Sequence, residues 1–334
     1  MADFHVVPGT VSSAILNDSR TTIIELVRDV YLRHEEGRTV NPDSYFLRFP
    51  EKPNSRVIAL PGYLGGDTDT VGIKWIASFP DNIAQGLPRA SAVLLLNDYT
   101  TGYPIACLEA AGISAARTAA SAACATSSLL ASQQPGSLSF VGAGVIARTI
   151  CDYLAAAGLR FSEAVVYDLD PTTADHLVEH ARTRLGVPAT RGARLEDALV
   201  KDVVVFATTA AQPYVPPTTE LRAGQLLLNI SLRDLPPELL LRSNNVLDDV
   251  DHCLKARTSP HLAEQLTGSR DFVTGTIGMA LRGELQLDPT RATIFSPFGL
   301  GVLDLGVGQF VLEMARDQGR TIPIPGFFGE LSRW

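Results

Sequence analysis

The sequence is short of charge, and of positive charge above all: 28 Lys and Arg stand against 36 Asp and Glu, a formal net charge of −8. That balance argues against nucleic acid or an anionic membrane surface as the main partner. Cysteine is scarce. Cys107, Cys124, Cys151 and Cys253 show no C-x-x-C spacing, and two of them fall in helical patterns. Reduced core thiols in a cytoplasmic protein are expected, with no metal site. Long apolar runs are absent as well. The longest small-and-apolar stretch, Ile105 to Ala125, is interrupted by Glu109 and Arg117, so no membrane span is expected. The opening Met1-Ala-Asp-Phe-His has neither a basic n-region nor an apolar h-region, and no signal peptide is expected. What remains is a globular composition, 46% hydrophobic, and at 334 residues it is too long for one ordinary core. Two domains follow.

The hydrophobic period divides them. Residues 19–36 place Ile23, Ile24, Val27, Val30 and Tyr31 on one helical face, with Ser19 as candidate N-cap and Gly37 as stop. Short β-branched and aromatic runs come next: Ser44–Phe49, Arg56–Leu60, Val71–Phe79, Ala90–Leu96 and Tyr103–Leu108. Pro53-Asn54, Pro61-Gly62, Gly65-Gly66, Pro80-Asp81-Asn82 and the segment from Asn97 to Gly102 separate them. They predict an antiparallel or mixed sheet. An alanine-rich helix runs from Glu109 to about Leu130, and Gln134-Pro135-Gly136 marks the boundary.

From residue 137 strands and helices alternate, as in a doubly wound parallel sheet. An apolar strand from Ser137 runs into Gly142-Ala143-Gly144-Val145-Ile146-Ala147 and then a helix. In this Gly-x-Gly-x-x-Ala pattern Gly142 permits the tight turn and Gly144 lets the backbone approach a pyrophosphate. Ala147 lets the helix pack closely on the strand. The next strand, Ala164–Tyr167, ends in Asp168, placed to accept from ribose hydroxyls and to repel a 2′-phosphate; Leu169 and Asp170 supply no cation. The expected cofactor is therefore NAD. A helix from Pro171 to Leu185 and strands at Val203–Ala207, Leu226–Ile230 and Asn245–Leu247 continue the alternation. Residues 300–317 return to a helical period, with Gly301, Gly306 and Gly308 suited to close packing, and are expected to cross back onto the first domain. The fold class is α/β. A Rossmann-type NAD-binding domain is assigned to residues 134–299, and a sheet-rich domain to 1–133 with 300–334.

Several polar residues stand out against apolar surroundings. Lys74 lies between Ile73 and Trp75 in a strand, and Arg117 lies in a helix of alanines. Burying such charges unpaired is costly, so each is either paired internally, with Glu109 a candidate partner for Arg117, or binds a ligand. Arg48, among aromatics, is either a third ligand cation or a surface strand residue. Asp234 follows the strand ending at Ile230 and is either a proton-transfer group or the N-cap of a helix opening at Pro236. Thr208 and Thr209 end a strand and either touch the nicotinamide or belong to an ordinary loop. His176-Leu-Val-Glu179-His180 spells a metallopeptidase pattern, but it lies on a crossover helix with a solvated face expected, and is not assigned a metal.

Gly72-Ile-Lys74, Leu94-Leu-Leu-Asn-Asp98-Tyr-Thr-Thr-Gly102-Tyr-Pro104, Ala116-Arg117-Thr118 and Phe298-Gly299 before Asp304-Leu305 accompany the Gly142 fingerprint. Together these stretches resemble the ornithine cyclodeaminase/μ-crystallin family, nearly end to end. Lys74-Trp-Ile-Ala-Ser-Phe-Pro80, Ile230-Ser231-Leu-Arg-Asp234 and Asp248-Asp-Val-Asp-His252-Cys-Leu-Lys255 narrow the resemblance to the dehydrogenases that form 2,3-diaminopropionate. Cyclodeaminases proper hold the aspartate matching Asp234 in a Gly-Gly-Asp-Cys-Pro-Gly turn, which this chain lacks; the departure speaks against cyclisation.

The resemblance implies NAD-dependent oxidation of N-(2-amino-2-carboxyethyl)-L-glutamate to 2,3-diaminopropionate, 2-oxoglutarate and NADH, in a pathway to a siderophore or antibiotic. It implies a homodimer assembled through the sheet-rich domain, and substrate carboxylates held by Arg48, Lys74 and Arg117. Asp234 would be the catalytic base, with Lys74 next in line. Gly142, Ala143, Gly144, Val145, Ile146, Asp168, Thr118, Thr208 and Ser231 would contact the cofactor. Alternatives are an ornithine cyclodeaminase-like activity, an imine reductase or deaminating dehydrogenase of a smaller amino acid, and a cofactor-dependent binding protein with little turnover.

Overall fold

The structure is a computed structural model and describes residues 4–66, 69–130 and 136–329. Its two units are Met1–Arg117 with Leu300–Trp334, and Thr118–Gly299.

In the first unit β1 (Phe4–Val7) leads into α1 (Gly9–Asp18) and α2 (Arg20–Glu35). Strands β2 (Thr39–Val40), β3 (Tyr45–Phe49), β4 (Lys52–Leu64), β5 (Thr70–Ser78), β6 (Ala90–Asn97) and β7 (Pro104–Glu109) follow. The seam between units falls within α3 (Ala111–Leu129), after Arg117. The second unit opens with β8 (Ser137–Val141), α4 (Val145–Ala156), β9 (Glu163–Tyr167), α5 (Pro171–Leu185), β10 (Ala189–Arg191) and α6 (Leu195–Leu199). It continues with β11 (Val203–Phe206), β12 (Leu226–Asn229), α7 (Pro237–Leu240), β13 (Asn244–Leu247), α8 (Val250–Cys253) and α9 (Ser259–Thr267). β14 (Val273–Thr276), α10 (Ile277–Leu281) and β15 (Thr293–Ser296) complete it. The chain then returns to the first unit with α11 (Gly301–Asp317) and β16 (Ile322–Ile324).

The first sheet is mixed. Its order is β16-β1-β7-β6-β5-β4-β2 with β3 also on β4, and β1 runs parallel to β7 among antiparallel neighbours. Strand alternation sorts its two faces. Leu60, Lys74, Leu94 and Leu108 stand in register across β4 to β7 and are all buried. One residue on, Tyr45, Ala59, Trp75 and Val93 form the opposite row, in which Trp75 is 44% exposed. α11 covers the buried row, and its glycines make this possible. A Cβ at Gly308 would stand 1.9 Å from Leu94 Cδ2, one at Gly306 would meet Val30 at 3.0 Å, and one at Gly301 would meet Leu60 at 3.2 Å.

Local expectations change at β4 and at α2. β4 starts at Lys52, so that Pro53-Asn54 lies within it, and it does not stop at Leu60 but runs through Pro61-Gly62 to Leu64. Pairing with β3 extends only to Ala59 and pairing with β2 begins at Tyr63, so the proline lies where that edge has no ladder bond to lose. Ser19 does precede α2, but its side chain makes no capping bond, because the residue also ends α1.

The second sheet has eight parallel strands in the order β10-β9-β8-β11-β12-β15-β13-β14. The order reverses between β8 and β11. Ligands of such sheets bind in the crevice beyond the carboxyl ends of the strands at that reversal. Runs buried on both faces, such as Val203–Phe206 and Leu226–Asn229, are what a two-sided covering of helices requires. All four cysteines are free thiols, three of them buried.

Candidate active site

At the reversal point the chain makes the turn that its glycines predict. Gly142 has φ +93°, and a Cβ there would lie 2.5 Å from the carbonyl oxygen of Ala207. Only glycine fits. Gly144 stands at the N-cap of α4 with open space before it, and no side chain caps that helix. The helix end, with the N–H groups of Val145 and Ile146 in its first turn, is therefore built for an anion such as a pyrophosphate. Ala147 is fully buried under the helix, and Ala143 lies buried in the turn itself.

Asp168 closes this turn. Its Oδ2 accepts from the N–H of Ala143 at 2.7 Å and its Oδ1 from the N–H of Asp170 at 2.9 Å. A carboxylate offers about four lone-pair sites, so capacity remains for ribose hydroxyls. The next residue, Leu169, is 89% exposed and brings no positive charge. The residues present fit a dinucleotide with a free 2′-hydroxyl.

Beyond β11 and β12 a second constellation forms around Asp234, which is completely buried. Thr208 Oγ1 donates to its Oδ1 at 2.5 Å, Tyr214 Oη donates to the same oxygen at 2.9 Å, and Ser231 Oγ donates to Oδ2. The backbone carbonyl of Asp234 also accepts from the N–H groups of Tyr214 and Val215, at 3.2 and 3.3 Å. Burial first, and the charge of Asp234 second, push the Tyr214 phenol well above its ordinary range, so it stays a donor. Between Ser231 and Asp234 the backbone of Leu232 is left-handed, with φ +79°. A leucine held there costs about 1–3 kcal/mol and signals a constrained loop. Asp234 does not cap the following helix: α7 starts at Pro237 behind Pro236. Thr209 lies in the loop after β11 outside the hydroxyl cluster.

The first unit holds the cations. Strand alternation turns Lys74 inward, where it is 1% exposed. Its Nζ donates to Asp304 Oδ2 at 2.6 Å and to Ser114 Oγ at 3.1 Å, while Arg117 Nε meets Asp304 Oδ1 at 3.3 Å. Burial above all, opposed by Asp304 and aided by Arg117, brings the Lys74 ammonium down from 10.5 to about 8. Arg117 is thus paired with Asp304, 187 residues away, and Glu109 accepts from the N–H of Ala111 at the start of α3. Sequence reasoning placed Asp304 in a family motif without seeing it as this partner; its one signal was a lone carboxylate within an apolar helix.

Arg48 is not brought to this cluster. It is exposed, with its guanidinium 5.4 Å from the ring centre of Phe46. It faces Arg56, whose partner on β5 is Ser78, whereas Lys74 faces Leu60. The offset from 74 to 78 along β5 amounts to about 13 Å. Thr118 is half-buried on α3, the first residue of the second unit. In the His176–His180 stretch His180 Nε2 lies 2.8 Å from Asp152 Oδ1 on α4, and Arg184 joins the same carboxylate at 3.0 Å.

Comparison with known proteins bears on the family and the fold. The model of the ornithine cyclodeaminase/mu-crystallin family matches residues 10–319. An N-((2S)-2-amino-2-carboxyethyl)-L-glutamate dehydrogenase of Staphylococcus aureus is 28% identical over 306 residues, 88% of this chain and 90% of its own. The Δ1-pyrroline-2-carboxylate reductase of Thermococcus litoralis, solved with NADH and L-proline, superposes with a TM-score of 0.88 at 24% identity, covering 96% of this chain and all of the other. An archaeal alanine dehydrogenase dimer with bound NAD gives 0.86 at 24% identity, over 98% of this chain and 100% of its own. The two solved structures share its fold.

Proposed function

The chain belongs to the ornithine cyclodeaminase/mu-crystallin family, and from that premise we propose that it oxidatively cleaves N-(2-amino-2-carboxyethyl)-L-glutamate. It is an NAD-dependent oxidoreductase acting on amino-acid substrates. The observation that carries the choice of substrate is the convergence of two cations, buried Lys74 and part-buried Arg117, on the single carboxylate of Asp304. Two cations gathered at one point suit the site to a carboxylate, and the adduct carries three. The 28% identity to the staphylococcal dehydrogenase of that adduct supports the same substrate.

The Gly142–Ile146 turn, the N-terminus of α4 and Asp168 would hold NAD, with Thr118, Thr208 and Ser231 assigned to its nicotinamide half. Bound there, NAD supplies a two-electron hydride acceptor. Lys74 and Arg117 bind a substrate carboxylate, and Arg48 takes a more distant one. Asp234 receives the proton of the secondary ammonium, so that the nitrogen lone pair can form a C=N bond as hydride leaves the glutamate α-carbon. Asp234 releases that proton to solvent, takes one from the water that adds to the same carbon, and passes it to the nitrogen. The C–N bond then breaks as the hydroxyl becomes the carbonyl and its proton goes to the departing amine. One adduct, one water and one NAD yield 2,3-diaminopropionate, 2-oxoglutarate, NADH and a proton. The hydroxyls of Ser231, Thr208 and Tyr214 fix the carboxylate in place between these transfers.

The exposed Tyr45, Leu47, Trp75 and Val93 of the first sheet suit a second copy of the chain, and a homodimer in the cytoplasm is part of the proposal. The decisive experiment incubates the protein with NAD and the adduct, following NADH absorbance and identifying products by mass spectrometry. NADH matched by equal 2,3-diaminopropionate and 2-oxoglutarate is the expected result. NADH with L-proline or L-alanine, and none with the adduct, would discard this substrate.

A further inference from the structure

Asp304 stands in the first turn of α11, completely buried, at a helix end that favours negative charge. Each of its oxygens is taken by a different cation: Oδ2 by Lys74 of β5 and Oδ1 by Arg117 of α3. The spacing of the two cations is thereby set by the plane of one carboxylate. That plane is itself immobilised, because α11 is pressed onto the sheet at Gly301 and Gly308 with no room for a side chain at the latter.

We propose that Asp304 is the positioning residue of the substrate-carboxylate site, holding Lys74 protonated and at a fixed distance from Arg117. The inference rests on the reading that this cation pair binds substrate. It goes beyond it by giving a role to a residue that acts on the substrate through the cations. The groups facing the Lys74 ammonium are Asp304 from α11, and Ser114 and Arg117 from α3; its register neighbours on β4 and β6, Leu60 and Leu94, carry no charge. Among these Asp304 alone favours the charged lysine, while burial and Arg117 both disfavour it. A neutral Lys74 could not hold a carboxylate. Removing Asp304 therefore acts on binding through the protonation of Lys74, which a residue with a purely structural part would leave alone.

The test has a substrate-free arm and a kinetic arm. In the first, isotope-labelled lysine NMR follows the titration of Lys74, assigned by its absence in Lys74→Met, in the wild-type protein and in Asp304→Asn. The midpoint is expected to fall in the variant; an unchanged midpoint overturns the proposal whatever the substrate is. In the second, KM for the adduct is measured against pH for wild type, Arg117→Ala, Asp304→Asn and Asp304→Glu, with NAD affinity measured alongside. Asp304→Asn should shift the rise in KM to lower pH, each unit of displacement costing about tenfold in kcat/KM above it, while NAD affinity stays unchanged. Asp304→Glu keeps the charge and alters the spacing, so its KM should be raised with the inflection where the wild type has it. If Asp304→Asn does not fold, Asp304→Glu decides the matter: a wild-type KM overturns the positioning role. An Arg117→Ala protein with unchanged KM refutes the substrate reading instead, and leaves the NMR arm to judge Asp304.

Discussion

The backbone N–H of Ala143 donates to the carboxylate of Asp168 across 2.7 Å, which locks the end of β9 to the glycine turn that opens α4. Cofactor preference and turn geometry therefore share one side chain. Asp168→Ala should weaken NAD binding by about 1–3 kcal/mol, the range for losing hydrogen bonds to a charged group. Asp168→Ser combined with Leu169→Arg should raise the ratio of NADP to NAD use. Fluorescence titration and kcat/KM for each cofactor read both effects. A wild-type protein that already prefers NADP would contradict the reading.

Arg117→Ala should raise KM for the adduct by about 10- to 100-fold, the equivalent of one charge-assisted hydrogen bond of about 1.5–3 kcal/mol. NAD affinity should stay nearly intact. Arg48→Ala, at a residue exposed and four positions along the strand register from the Lys74 row, should have the smaller effect. Steady-state kinetics at fixed NAD measures both. If KM is unmoved in Arg117→Ala, that residue leaves the site.

Lys74 gives activity and stability opposite pH dependences. Its ammonium, lowered from 10.5 to about 8, binds a carboxylate only when charged, so kcat/KM should fall as pH rises through about 8. The unfolded chain keeps that proton up to the ordinary lysine value. Between the two values the unfolded state binds more protons, so folding stability should rise with pH across that window, and the cost of burying the charge is fully present below it. Denaturant midpoints near pH 7 and near pH 10, compared between wild type and Lys74→Met, isolate the contribution. Identical pH slopes in the two proteins would show that Lys74 does not titrate there.

Asp234→Asn should lower kcat by about 10²–10⁴-fold, the usual worth of a general base, with a residual rate that rises with pH as free substrate loses its proton before binding. The structure adds a cost in stability. An amide presents N–H groups toward the hydroxyls of Ser231, Thr208 and Tyr214, which now donate to a carboxylate. Tyr214→Phe removes one donor and keeps the base, so it should lower Tm while retaining most of the activity. Wild-type turnover in Asp234→Asn would make Asp234 a latch for its loop and nothing more.

Periodicity carried much of the architecture, because it is a local property. The alternation Ile73-Lys74-Trp75 is visible in the sequence and decides which face each side chain takes. The strand–turn–helix at Gly142 was likewise legible, since φ +93° at that turn leaves glycine as the one residue that fits. Pairings across long sequence separations were not. β1 lies parallel to β7 and antiparallel to β16, and nothing in residues 4–7 names either partner. β15 spans only Thr293–Ser296, too short a run to show a period. The bond from Lys74 to Asp304 spans 230 residues, so a charge in a strand could be recognised as needing a partner without the partner being identified.

The placement of α11 has a consequence for how the chain is made. The second unit is one uninterrupted segment, Thr118–Gly299, whereas the first needs residues from both ends of the chain. During translation every strand of the cofactor unit has emerged before α11 exists. Until it does, Leu60 and Leu94 lack the helix that packs on them and Lys74 lacks the carboxylate of Asp304. The half synthesised first is thus the half completed last, and a ribosome stalled before Gly301 would present an uncovered apolar sheet to the chaperones of the cell.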